Sequence, residues 1–285
     1  MIATTGFFDG VHLGHRLVIE RLVSLARERG DESLVVTFWP HPRAVLQDGA
    51  RELRLLNTLE EKKALLAGLG VSRVEVLDFS RAFASLTAEE YLRTILRDRF
   101  GVTTLLVGYD NRLGSDRLTA GALAPIAAEL GMELIELQPY QSISSTKIRK
   151  ALEDGDISTT TSMLGYGYSL RGVVVAGNRL GRTIGFPTAN MKLYEPLKLV
   201  PGRGVYVVEA EVLGQKYRGM TNIGTRPTVG GSATTIETHI LDFDEDIYGL
   251  PLRITFLRRL RDEIHFPSLD ALKAQLSLDR AACRG

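Results

Sequence analysis

In the first half of the chain, apolar positions alternate between two periods. Short, nearly continuous apolar runs, IATTGFF (2–8), SLVVTFW (33–39), RVEVLDF (73–79), TTLLVGY (103–109) and ELIELQP (133–139), have the length and β-branched content of buried strands. Between them the spacing turns helical. From His15 to Arg29, the residues Val18, Leu22, Leu25 and Ala26 share one face, and Gly30 stops the run. TLEE (58–61) and TAEE (87–90) are capping boxes in which Thr58 and Thr87 cap and Glu61 and Glu90 reach back; they open helices to about Leu69 and Gly101. Residues 119–130 and SSTKIRKAL (144–152) predict two more helices, the second capped by Ser144 or Ser145. Strand and helix in alternation predict a Rossmann-like parallel sheet with helices on its faces.

The second half changes period. SLRGVVVAG (169–177), VYVVEAEVLG (205–214), QKYRGMTNIG (215–224), TTIETHILDF (234–243) and LRITFLRRLRD (252–262) are strand-like runs at short spacing, separated by Gly, Pro and Asp turns. Helix signals return only at SLDALKAQLSL (268–278). This predicts an antiparallel barrel or sandwich with a C-terminal helix. The polar, small-residue stretch EDGDISTTTS (153–162) marks the join, so two domains are expected, 1–160 and 161–285.

Composition adds mainly exclusions. Over 285 residues, 35 basic side chains balance 34 acidic ones, so there is no electrostatic case for a nucleic-acid or membrane-surface partner, and an anionic substrate must be held by local groups. A single cysteine, Cys283, allows no disulfide within the chain and no thiolate metal cluster. The start MIATTGFFDG lacks the marks of a signal peptide, and no apolar run reaches the ~18 residues of a membrane span; a cytoplasmic protein is expected.

Candidate chemistry concentrates in two loops. GFFDGVHLGH (6–15) lies where the first strand ends and the first helix begins. In an open parallel sheet ligands bind at the carboxyl ends of strands, and a helix N-terminus suits phosphate. Gly6, Gly10 and Gly14 allow close backbone approach, and His12 and His15 are suited to phosphate oxygens and to charge developing at phosphorus. Surface loop residues, zinc ligands or helix caps are the competing readings of the two histidines. No G-x-x-x-x-G-K-[ST] and no strand-following G-x-G-x-x-G occurs, so this loop is the best nucleotide-binding candidate in its half. In GRTIGFPTAN (181–190), a plain turn competes with a ligand reading: Thr188 and Asn190, two apart in an extended segment, offer hard oxygen ligands suited to Mg²⁺ with a nucleotide phosphate, under a flap of Gly177, Gly181 and Arg182. In TTIETHIL, Ile236, Thr238 and Ile240 fall on one face and Thr235, Glu237 and His239 on the other; Glu237 is either a solvated strand residue or a general base.

FDGVHLGH (8–15) resembles the signature of the H-x-G-H nucleotidyltransferases. With TFWPHPR (37–43), LLVGYDNRLG (105–114) and ISSTKIR (143–149) in order, it resembles the adenylyltransferase half of the bacterial bifunctional riboflavin kinase / FAD synthetase family. The segments 164–191, 202–208, 219–229, 237–249 and 260–272 resemble the riboflavin kinase half, more densely. The resemblance covers essentially the whole chain. It implies a six-stranded barrel for the second half, phosphorylation of riboflavin by ATP to FMN there, and adenylation of FMN to FAD and pyrophosphate in the first half. It further implies that Thr188 and Asn190 bind Mg²⁺ and that Glu237 is the base for the 5′-hydroxyl. His12 and His15 would stabilise the α-phosphate, with Gly6, Phe7, Asp9 and Gly14 lining the ATP site and Ser145, Thr146 and Arg149 holding the outgoing phosphates. Asp110 and Asn111 would lie against the flavin of FMN.

Three features depart from the family. Met1 almost starts the first strand, where the family usually carries a preceding segment; Asn111 and Leu113 stand where aromatic residues are usual; and Tyr166 and Gly167 stand where Arg-Pro is more frequent. Two further readings accompany the bifunctional one: a riboflavin kinase with weak or lost adenylyltransferase activity, for which Asn111 and Leu113 speak, and a non-catalytic flavin-binding regulatory protein.

Overall fold

The computed structural model describes residues 1–46, 53–109, 111–138, 143–177, 180–228 and 231–284. The chain divides into two compact units, Met1–Ser145 and Thr146–Gly285.

The first unit runs β1 (Ile2–Thr5), α1 (Leu13–Arg29), β2 (Ser33–Trp39), α2 (Pro42–Leu46), α3 (Leu59–Gly68), β3 (Arg73–Asp78), α4 (Arg81–Ala84), α5 (Ala88–Glu90), β4 (Thr104–Gly108), α6 (Ala120–Glu129) and β5 (Glu133–Leu137). Its five strands are parallel, in the order β3-β2-β1-β4-β5. The central strands β1, β2 and β4 read as continuous apolar runs because both their faces are covered, while the edge strands β3 and β5 carry exposed charged residues. Ile2, Val35 and Leu106 pack on one side with Ile19, Leu22 and Leu66, from α1 and α3. Ala3, Leu34, Val36, Leu105 and Val107 pack on the other with Leu92, Leu96 and Leu123. Both capping boxes form, at Thr58–Glu61 and Thr87–Glu90.

Three local differences from the sequence reading stand out. Helix α1 starts at Leu13, not His15, and its buried stripe is Ile19, Leu22, Val23, Leu25 and Ala26, while Val18 is only half-buried. Two overlapping stripes satisfy the helical period, and packing on the sheet selects the one through Ile19. The helix after Thr87 is α-helical only over α5 and continues as a π-helix through Tyr91–Arg99, closing with Phe100 N–H donating to Ile95 O. The short helices α2 and α4 carry no buried side chains, which is why no apolar period announced them.

The second unit runs α7 (Ser145–Glu153), α8 (Ile157–Leu164), β6 (Ser169–Val175), α9 (Leu180–Thr183), β7 (Ala189–Leu193), β8 (Gly204–Val212), β9 (Gln215–Thr228), β10 (Gly231–Ile240), β11 (Pro251–Arg261) and α10 (Leu269–Arg284). The six strands close into an antiparallel barrel, β10-β7-β6-β11-β8-β9. Tyr206, Val208, Ala210, Ile223, Ile236, Ile254 and Phe256 are buried. Leu213 and Gly214, both at positive φ (52° and 75°), make the tight turn between β8 and β9, a conformation that follows the natural strand twist. The stretch expected to be a polar join is instead largely the helix α8: Asp156 caps it by accepting from Thr159 N–H, and Ile157, Thr160 and Leu164 are buried. Strand β7, five residues long, is too short to show a period in the sequence.

Candidate active sites

The order β3-β2-β1-β4-β5 reverses direction between β1 and β4, so the loops leaving those two strands face the crevice where such sheets bind ligands. The loop after β1 carries the H-x-G-H residues. Its backbone is wound tightly: Phe8, Gly10 and Val11 have φ of 53°, 85° and 36°. For a β-branched residue such as Val11 this is a strained conformation, held only where the surroundings over-determine it. Thr37 Oγ1 donates to the Phe7 carbonyl at 3.2 Å, and the Asp9 carboxylate accepts from the backbone N–H groups of Leu56 (3.1 Å) and Asn57 (3.3 Å). Ser145 Oγ donates to the Asp9 carbonyl at 2.9 Å.

His12 is the N-cap of α1. Its Nδ1 accepts from His15 N–H at 3.3 Å, which places the proton of the neutral ring on Nε2. The two imidazoles stack, with centroids 3.6 Å apart and planes within 16°. Gly14 permits this, since a Cβ there would stand 3.3 Å from His12 Nδ1. Burial, then His12 and Lys62, hold the His15 imidazole well below its ordinary range, so it is neutral at pH 7. His15 Nδ1 is buried with no hydrogen-bond partner among the described residues, an uncompensated polar atom of the kind that marks ligand sites. The histidine pair, Gly6, Phe7, Asp9 and Gly14 thus share one loop, and Ser145, at the start of α7, meets it at the Asp9 carbonyl. Asn111 reaches the same strand end, Nδ2 donating to Thr5 O at 3.4 Å, while Leu113 is buried in the core. Asp110 lies outside the described residues. Thr146, exposed, and Arg149, half-buried, lie in α7.

In the barrel, register builds the second site. Glu237 of β10 stands directly opposite Asn190 of β7 and, on its other side, Asn222 of β9. Opposed residues point to the same face, so Asn190, Glu237 and Asn222 form a polar row across three strands. The predicted partition of TTIETHIL holds for Ile236, Thr238 and Ile240, all buried, with Thr238 Oγ1 2.8 Å from Thr221 Oγ1. Glu237 is half-exposed on the opposite face, and Arg226 Nη2 stands 4.0 Å from its Oε1.

The Thr188–Asn190 segment is cradled by glycines. A Cβ on Gly177 would fall 2.2 Å from Asn190 Nδ2, and one on Gly181 would fall 2.1 Å from Phe186 O and 3.6 Å from Thr188 Oγ1. A hydroxyl and an amide oxygen presented together beside a carboxylate are the donor types a hard divalent cation takes, so the residues present fit such an ion. Arg182 is exposed on the single turn α9.

Several contributors escaped the sequence reading. His239 is buried rather than solvent-facing: its Nδ1–H donates to Pro187 O at 2.8 Å, its ring meets Phe186 edge-on, and burial lowers its affinity for a proton. Arg280 of α10 stacks on Phe186, so the C-terminal helix braces the Thr188 loop. Asn222 Nδ2 donates to Glu263 Oε1 at 3.4 Å, adding a second carboxylate near the row. Lys62 is fully buried against the histidine loop. Only the resemblance over 219–229 and 260–272 pointed toward Asn222 and Glu263; no local signal marked His239 or Lys62.

Residues 1–151 match the FAD synthetase family model, and residues 164–285 match the riboflavin kinase family model. The bifunctional riboflavin kinase/FMN adenylyltransferase of Escherichia coli K12 is 39% identical over 99% of this chain and 91% of its own length. Its counterpart in Bacillus subtilis is 35% identical over 98% and 90%. A crystal structure from Streptococcus pneumoniae, described as a macrolide-efflux protein, superposes with a TM-score of 0.93 at 35% identity, covering 100% of this chain and 93% of that one. Among the described residues here, no helix is long and apolar enough to cross a membrane. With both halves matched in order and relatives aligned nearly end to end, the chain belongs to the bifunctional riboflavin kinase/FMN adenylyltransferase family.

Proposed function

We propose that the barrel phosphorylates riboflavin with ATP to FMN, and that the parallel-sheet unit adenylates FMN with a second ATP to FAD and pyrophosphate, the two activities dividing near residue 160. The observation that carries the reading is the opposition of Glu237 and Asn190 in the β7–β10 register, the arrangement expected of a base beside an oxygen ligand. In the kinase step the Glu237 carboxylate accepts the proton of the 5′-hydroxyl as that oxygen attacks the γ-phosphorus and ADP leaves. Thr188 and Asn190 hold Mg²⁺, and Gly177, Gly181 and Arg182 lie over the phosphates. When bound, Mg²⁺ neutralises phosphate charge.

In the adenylyl step the FMN phosphate attacks the α-phosphorus of ATP and pyrophosphate leaves. His12 donates from Nε2–H to the α-phosphate oxygens and neutral His15 adds its ring N–H. The loop backbone at Gly6, Phe7, Asp9 and Gly14 lines the nucleotide, Ser145, Thr146 and Arg149 hold the departing phosphates, and Asp110 and Asn111 lie against the flavin. The partners are small molecules, without nucleic acid or membrane, a reading that the near-neutral net charge of +1 supports, and the setting is the cytoplasm.

Incubation with riboflavin, ATP and Mg²⁺, with flavins separated over time, tests the reading. FMN should appear first and FAD second. Glu237→Gln should abolish the first product, and His12→Ala should abolish FAD formation from supplied FMN. Unaltered turnover in either variant removes that residue from the mechanism.

A further inference from the structure

The strained loop needs something beneath it. Lys62, on α3, is fully buried, although helices of this length normally show lysine to water. Its ammonium donates to the Phe7 carbonyl at 2.5 Å and sits 3.4 Å above the centre of the Phe7 ring. The Phe7 carbonyl already has a partner in Thr37 Oγ1, so backbone satisfaction alone does not require the lysine. Burying an ammonium is costly, and groups retained at such a cost cluster at functional sites. Here burial lowers the Lys62 pKa to about 8, against an opposing pull from Asp9, so the side chain stays charged at pH 7.

Its charge also acts on His15, where it opposes protonation. Lys62 therefore touches the loop from the protein side at the residue before the first positive φ, and it holds a positive charge behind the two stacked imidazoles. Nothing in the chemistry of the histidines themselves supplies that charge.

We propose that Lys62 is a positioning residue for adenylyl transfer: its ammonium, gripping the Phe7 carbonyl from beneath, fixes the backbone that aims His12 and His15 and lends the phosphate site a positive charge at neutral pH. The proposal rests on the reading of residues 6–15 as the adenylyl-transfer site.

The test compares Lys62→Met and His12→Ala in the full chain, with FAD formation from FMN and ATP and FMN formation from riboflavin and ATP measured on the same samples. Lys62→Met is expected to lower kcat for FAD formation about tenfold to a hundredfold, as small misplacements of reacting groups do. KM for ATP and FMN should change less than about threefold, as expected when the lost interaction acts on the transition state. The riboflavin kinase rate of the same variant should be unchanged. If His12→Ala abolishes FAD formation while Lys62→Met leaves it intact, the proposal falls and the site reading stands. If His12→Ala leaves FAD formation unchanged, the site reading falls and takes the proposal with it. A rise in KM at unaltered kcat overturns the proposal. So does a loss of activity that is restored at a temperature where the variant's Trp39 fluorescence is that of folded protein; a loss that persists in folded variant upholds it.

Discussion

If Lys62 is held charged against its preference, the stability of the first unit must depend on pH in a particular direction. Folding lowers the Lys62 pKa from 10.5 to about 8. Between those values the unfolded chain holds the proton and the folded chain has released it, so the unfolded state binds more protons and stability rises with pH. At about 1.4 kcal/mol per tenfold change in proton affinity, the charged lysine costs the folded unit about 3 kcal/mol below pH 8. Between pH 7.5 and 9.5 about 2 kcal/mol of that is recovered. Lys62→Met removes the titration while leaving the Phe7 carbonyl bonded to Thr37 Oγ1. The gap between wild type and variant should therefore move in favour of wild type by about 2 kcal/mol over that window.

The protein offers a clean probe. Its single tryptophan, Trp39, ends β2 in the first unit, so urea unfolding followed by tryptophan fluorescence reports that unit and not the barrel. A 2 kcal/mol change displaces the midpoint by about 1 M urea for a unit of this size. Other groups that titrate above pH 8 are common to both proteins and cancel in the difference. Wild-type and Lys62→Met stabilities that run parallel from pH 7.5 to 9.5, within about 0.5 kcal/mol, would refute the burial argument and remove the stability cost that marks Lys62 as functional.

Three further outcomes are expected. Gly177→Ala drives a methyl toward Asn190 Nδ2, 2.2 Å from the ideal Cβ, and should lower the riboflavin kinase rate about a hundredfold while FAD formation from supplied FMN continues; separate assays of the two products check it. Asp279→Ala strips the partner from Arg261, whose guanidinium donates to both Asp279 oxygens within the buried α10–β11 contact, and should cost the barrel unit about 3 kcal/mol and expose α10 in amide hydrogen exchange. Thr58→Ala deletes one arm of a formed capping box and should destabilise the first unit by about 1 kcal/mol in the Trp39 urea assay, with Thr58→Ser close to neutral.

Much of this protein is legible from its sequence alone. The run at 33–39 coincides with β2, because a strand buried on both faces needs apolar residues at nearly every position, and the run at 73–79 coincides almost residue for residue with the edge strand β3, through the alternation of Val74 and Val76 with Arg73 and Glu75. Both capping boxes were readable because capping is a contact over three residues, decided by local chemistry. The glycines and histidines of residues 6–15 and the Thr188–Asn190 spacing marked the candidate sites for the same local reason.

What the tertiary structure decided are relations between distant residues. The period along α1 allowed two stripes, and only the sheet beneath selected the one through Ile19. The helix α8 looked like a polar join because its buried face holds a threonine between two aliphatic residues. His239, placed by alternation on the polar face, is buried by the Phe186–Pro187 loop that folds over it. Lys62 sits on a helix whose sequence shows charge at neighbouring positions, and only the loop from residue 55 positions upstream turns one of those charges inward. The alignment of Glu237 with Asn190, 47 positions apart, exists only in the barrel register. Periodicity and capping act between neighbours along the chain and are written in composition; register, burial of a charge and choice of face depend on which surface arrives from elsewhere, and that is settled by packing the whole unit at once.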